Sequence, residues 1–287
     1  MKSLTGSVTK IALSAVAVLG FLSIAATNPA SSQESVESTP VISSKTWGAY
    51  ADSIVDSAVS RPSEVATDLL VPDQSDQRTQ WREFNGVAHL LVQRVGWQAI
   101  STAPSGSAFT LPGNYFIAVP GEVDDACRKF DCPTMSAPDL NLRMAQLLGM
   151  PPDADISVLS RFWVNPADMI RPCTNVEITV ASCPQQVANT ISQGVDWSSF
   201  LFTQGMSSWR TQRTGTKIQI SCDADYKNTM NGNCYGFPWT RLGYTFDWNP
   251  GTKGDRGVTE FVVAQGSTVY FESAGTIRSF YPYRKTN

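Results

Sequence analysis

The chain has one histidine in 287 residues, and only 16% of its residues are charged. A lone histidine excludes most sites in which an imidazole activates a serine or cysteine, because His89 alone would have to serve. It stands in the apolar run Gly86-Val-Ala-His-Leu-Leu-Val92, the setting of a core histidine satisfied by a hydrogen bond. Neither GxxxxGK[ST] nor GxGxxG occurs, and the glycines of Gly251 to Gly257 lead into a strand rather than a helix N-terminus. A phosphate-cradling loop needs that helix. The cysteines form no CxxC pair and lie far from His89 in sequence, which argues against a zinc site. The run from Asp223 to Asn228 has Lys227 and Asn228 where a calcium loop needs an oxygen ligand and a glycine. No metal or cofactor site is therefore read. Beyond the N-terminus no apolar run reaches the roughly 20 residues of a membrane span, and no internal repeat is present.

What the chain does have begins at its first residue. Lys2 and Lys10 precede the uncharged stretch Ile11 to Ala26, and small residues follow at Ala25, Ala26 and Ala30. A basic start, a short apolar core and small residues after it form a secretory signal. We place it at residues 1–27, with cleavage between Ala26 and Ala30; an uncleaved anchor is the alternative, for which the stretch is short. Cys127 is the first cysteine, so no lipid attaches near the cut. Loss of Lys2 and Lys10 leaves 20 basic against 25 acidic residues, a formal charge of −5. That balance argues against nucleic acid and against a polybasic membrane patch.

Residues 28–45, rich in Ser, Thr, Pro and Glu, read as a disordered linker. Residues 46–287 suffice for a single globular domain. Six cysteines in an exported chain read as disulfides, and they fall into local pairs: Cys127 with Cys132, Cys173 with Cys183, and Cys222 with Cys234.

Periodicity places helices early. Trp47, Tyr50, Ala51, Ile54, Val55 and Ala58 recur at helical spacing before Pro62. Leu140, Met144, Leu147 and Leu148 stripe a second helix that Gly149 caps and Pro151 ends. Asp196 can cap a third. Trp81 to Trp97 carries mixed helix and strand signals. Tyr115, Ile117 and Val119 alternate as a strand ending at Pro120 and Gly121. Val158 to Val164 is apolar on both faces, as a central strand is, and Asn165-Pro166 starts a short helical turn. Tyr244, Phe246 and Trp248 alternate, Asn249 to Gly257 is a hairpin connection, Val258 to Val263 is one strand, and Gln265-Gly266 turns into Thr268 to Glu272. Helices early and an antiparallel sheet in the C-terminal part predict an α+β fold.

Three blocks carry a resemblance: Leu142 to Pro152 (LRMAQLLGMPP within the second helix and its end), RFWVNPADMIRPC from Arg161 to Cys173, and FPWTRLGYTFDW from Phe237 to Trp248. Together they resemble an uncharacterised family of exported bacterial proteins. That resemblance implies bacterial export, to the periplasm or the medium, and specifies no reaction. Separately, Glu260 to Phe271 is similar to the last catalytic segment of ADP-ribosyltransferases, in which a Glu opens an apolar strand and a Gly-Ser or Gly-Thr turn follows. The similarity implies Glu260 as the acid that holds a ribose hydroxyl and stabilises developing positive charge, with Arg241 and Asp247 completing the constellation. Val258 stands where that family often has Glu or Gln, and a Ser-Thr-Ser strand is missing, although Thr240 and Thr245 are near.

Two classes of function follow. The favoured one is a binding or envelope-interaction module that uses Trp239 and Tyr244 toward a glycan or an envelope protein, since aromatics stack on sugars and grip apolar surfaces. The other is a secreted transferase or nucleotide-cleaving enzyme acting through Glu260.

Overall fold

The strand apolar on both faces lies in the middle of the main sheet, and the rest of the architecture is arranged around it. The computed structural model describes residues 42–57, 60–173, 175–184, 237–252 and 256–283. The signal, most of the linker, Ala58, the helix expected after Asp196, the Asp223 loop, Cys222 and Cys234 lie outside them.

In chain order the described elements are α1 (Ser44–Ser57), β1 (Trp81–Phe84), β2 (Val87–Gly96), β3 (Ala108–Thr110), β4 (Tyr115–Ile117), α2 (Pro120–Phe130), α3 (Ala137–Leu147), β5 (Val158–Val164), β6 (Met169–Ile170), β7 (Tyr244–Phe246), β8 (Arg256–Thr259), β9 (Phe261–Val263), β10 (Thr268–Thr276) and α4 (Ile277–Phe280). The fold is α+β. β1-β2-β5-β10-β3 form a five-stranded antiparallel sheet, β4-β9-β6 a three-stranded one, and β7-β8 a ribbon.

The ambiguous stretch from Trp81 resolves as a hairpin. Asn85 and Gly86 both take positive φ, 52° and 77°, as a two-residue primed turn requires. α1 opens two residues inside the stretch read as linker, because the Ser43 hydroxyl accepts the Thr46 N–H at 3.1 Å and caps it. α2 starts where the sequence suggested only the end of a strand. Pro120 occupies the first helical position, where its missing N–H costs nothing. α3 is as expected: Ser136 accepts from the Asp139 N–H, and Gly149 (φ 64°) follows the last turn. There the Met150 N–H reaches the Ala145 carbonyl at 2.7 Å and the Gly149 N–H that of Gln146 at 3.2 Å, a Schellman end.

β5 separates two cores. Leu159 joins Tyr50 and Ile54 of α1, Val123 of α2, and Leu140, Met144 and Leu147 of α3. Phe162 and Val164 point the other way, into a sandwich with Leu90, Val92, Ile117, Phe261 and Val263. Among the described residues there are two disulfides: Cys127–Cys132 within the helical core, and Cys173–Cys183 within a third, smaller cluster with Leu242 and Tyr244.

The strand read as continuous from Val258 to Val263 is broken at Glu260. β8 pairs with β7 and β9 lies between β4 and β6, so the chain changes sheets at that residue. Strand periodicity persists across such a step, which is why the sequence shows one run.

α3 is tied to the segment after β7 by a buried ion pair. Arg143 donates to both carboxylate oxygens of Asp247, at 2.9 Å for the Nη1–Oδ1 bond, with both side chains almost wholly buried. The guanidinium lies 3.6 Å from the Phe130 ring centroid, and Asp247 also accepts the Asn249 N–H. Removing one partner strands a buried charge. Asp247→Ala is expected to cost about 3–5 kcal/mol in urea denaturation, whereas the double replacement Arg143→Met with Asp247→Leu should recover most of that loss. A single variant as stable as the wild type would show that the pair carries no structural weight.

Candidate functional site

Glu260 owes its position to its neighbours. Its N–H donates to the Gly243 carbonyl at 3.0 Å. Next to it, Thr259 donates its N–H and its hydroxyl to the Glu122 carboxylate, both at 3.0 Å, and accepts the Leu70 N–H at 2.9 Å. Burial raises the Glu122 carboxyl, and the Thr259 bonds pull the other way. Gly243 (φ 80°) admits no side chain, since a Cβ there would lie 2.6 Å from Arg171 Cδ. Arg171 is wholly buried and holds the carbonyls of Leu70 and Ile178.

The step between sheets turns the Glu260 side chain into a cavity of about 320 Å³. One wall comes from the join of the two large sheets. Gln93 and Ala118 exchange both backbone hydrogen bonds, at 2.8 and 3.0 Å, as an isolated bridge. Beyond it β2 and β4 form no ladder, and Val95 and Phe116 line the space between them. The other wall is the capped end of α3 at Leu148 to Met150, together with Phe237, Pro238 and Trp239. Trp239 is held beside β7 by a bridge to Thr245. Its ring centroid is 5.5 Å from that of Phe116 and 6.1 Å from that of Phe237, both tilted by about 30°.

Among the described residues the Glu260 carboxylate has no hydrogen-bond or ion-pair partner, and the residue is half-buried at the cavity it lines. Surrounding protein makes ionisation costly and pushes the carboxyl up to about 8. Arg94 also lines the cavity. Its guanidinium lies 4.6 Å from the Tyr115 ring centroid, and desolvation lowers its pKa.

The structure does not bring Arg241, Asp247 and Glu260 together. Asp247 is in the buried pair with Arg143. Arg241, a non-glycine residue with φ 56°, directs Nη2 to the Ser57 carbonyl of α1 at 3.5 Å. Trp239 and Glu260 do share the cavity. Tyr244 does not line it: its ring is buried with Leu242, Cys173 and Cys183, and its hydroxyl donates to the Glu64 carbonyl at 2.8 Å. It lines a second cavity, of about 360 Å³, with Ser57, Ser60 and Thr240. Glu260 directly precedes β9, the middle strand of its three-stranded sheet. His89 is buried, its Nδ1 on the Val87 carbonyl at 2.8 Å and its ring edge-on to Phe84 and Tyr270. A carbonyl only accepts, so Nδ1 carries the proton.

Sequence reasoning overlooked Phe116, Met150 and Arg94. For Phe116 the signal was present, because a residue between Tyr115 and Ile117 must face away from the core that they serve. Met150 and Arg94 are placed by tertiary contacts alone. Among the described residues no cluster of three His, Cys, Asp or Glu could hold a metal.

An acid whose folded pKa is raised contributes stability that is complete below its unfolded pKa and lost as pH rises through the folded value. For Glu260 that window runs from the ordinary carboxyl value of 4.5 to about 8. The loss is on the order of a few kcal/mol. Thermal melts from pH 5 to 9 should show Glu260→Gln gaining on the wild type as pH rises; parallel curves would mean that the acid is solvated.

Comparison with protein-family models, with characterised proteins and with solved structures finds no match to this chain, so its cavity and its sequence carry the functional reading.

Proposed function

We propose that this is an exported bacterial binding module that captures a small ligand in the cavity floored by Glu260. The observation that carries the reading is the cavity itself: about 320 Å³, walled by Phe116, Met150, Phe237 and Trp239, with one carboxyl that no described residue satisfies. Ligand sites combine an apolar lining with a few polar groups in this way, and the volume falls at the low end of their range. It suits one small molecule, or a single sugar unit of a glycan, better than the face of an envelope protein. Among the described residues only Val87, Trp97, Val180 and Tyr283 are large, apolar and exposed, few for a broad protein-docking face.

Export is supported by the signal-like N-terminus and by the two disulfides, which persist in oxidising compartments. No helix among the described residues is long and apolar enough to cross a membrane. The intact mass of the exported protein should lack Met1 to about residue 27; a mass that retains them would mean an uncleaved anchor.

The transferase reading rests on Glu260 facing a cavity with a raised pKa, which suits a general acid. Binding is preferred because Arg241 and Asp247 are engaged elsewhere and the carboxyl stands without a second catalytic group among the described residues.

A fragment screen by saturation-transfer NMR tests the binding reading. Hits should compete for one site and lose at least tenfold in affinity in Trp239→Ala, while Trp97→Ala, at a residue 59% exposed, leaves them unchanged. Hits indifferent to Trp239 would place binding elsewhere.

A further inference from the structure

Resting on that cavity reading, we propose that the ligand is an organic amine bound as its ammonium ion, with the charge held between the Glu260 carboxylate and the faces of Phe116, Phe237 and Trp239. Three aromatic rings whose centroids lie 5.5 and 6.1 Å apart stand against the same small volume as an acid. Aromatic faces attract cations through their quadrupole, and the attraction strengthens when water is excluded. A carboxylate supplies the opposite charge, and here no described donor competes for it. An ammonium ion brings the N–H groups that the described residues do not supply.

A neutral ligand can share hydrogen bonds with Glu260 but brings no charge and leaves its carboxyl protonated. An anionic ligand would have to rely on Arg94, whose guanidinium already lies against the Tyr115 ring. Among the described residues the titratable groups lining the cavity are Glu260 from the β8–β9 step, Arg94 from β2 and Tyr115 from β4. The end of α3, the Phe237–Trp239 segment and β7 contribute none.

The proton balance follows from the charges. In the empty cavity at neutral pH the carboxyl holds its proton. When an ammonium ion enters, that proton leaves to solvent and the O⁻ faces R–NH₃⁺, which keeps its own three protons. No covalent bond forms or breaks apart from this O–H ionisation.

Three probes of similar shape separate the cases: benzylamine (a cation at pH 7), benzyl alcohol (neutral) and phenylacetate (an anion). Titration calorimetry of the exported, oxidised protein at pH 7, in buffers of different ionisation enthalpy, should find benzylamine at least tenfold tighter than benzyl alcohol and phenylacetate weakest. From a carboxyl at about 8, amine binding should release about 0.9 proton per molecule. Glu260→Gln, isosteric with the protonated acid and so expected to fold, should lose both the amine preference and the proton release. Equal binding of benzylamine and benzyl alcohol, or an amine preference that survives Glu260→Gln, overturns the amine inference and leaves the cavity reading standing. A preference for phenylacetate overturns it in favour of Arg94. Absence of binding by all three probes overturns both readings.

Discussion

The buried contact between Arg143 and Asp247 is the constraint on which the candidate site depends. One partner stands on α3 and the other just beyond β7, and the two segments carry adjoining parts of the cavity lining: the capped end of α3 at Leu148 to Met150, and Thr245 with Phe246. A charge pair with both members out of water tolerates little displacement, because stretching it exposes each ion to an environment that solvates neither. The Thr245 hydroxyl adds a second tie, donating to the Leu147 carbonyl at 2.7 Å and accepting the Val258 N–H at 3.0 Å. β8 is thereby fixed to the helix end, and Glu260, two residues on from Val258, is carried with it.

Electrostatics and hydrophobic burial cooperate in making that residue unusual. Phe261 and Val263 commit β9 to the sandwich core, with fully buried side chains. Val258 commits β8 to the helical core. Each burial is worth about 1.5–3 kcal/mol, and the two pull the chain into different sheets on either side of Glu260. The surrounding apolar packing therefore supplies the energy that holds a carboxyl in a site that disfavours its charge, a distortion of the kind found where proteins bind or react.

Much of the fold was legible in the sequence. The stripe of α3, its Ser136 and Gly149 ends, the centrality of β5 and the Asn165-Pro166 turn follow from local rules that tertiary contacts reinforce here. The β1–β2 hairpin was encoded in Asn85-Gly86, and it was obscured by the apolar run of β2, whose residues Leu90 to Val92 are buried on both faces and so show no alternation. α2 was hidden for a different reason: Pro120-Gly121 reads as a turn, and only the three-dimensional neighbourhood favours a helix that begins at that proline. Arg143 was a usable clue. It stands between Leu140 and Met144 on the buried side of α3, and a cation in that position needs a partner.

By itself, the sequence determined the α+β class, the local cysteine pairs that the structure describes and the major helix ends. Those properties reside in residue type and short-range spacing, where one or two turns of chain suffice to express them. Tertiary structure alone decided that Asp247 belongs to Arg143, that Arg241 turns toward α1, that Tyr244 packs beside Cys183, and that Phe116, Met150 and Arg94 meet Glu260 and Trp239 around one cavity. These are relations between segments separated by up to 184 residues. They are set by which apolar faces can be buried together, and no local pattern records that choice.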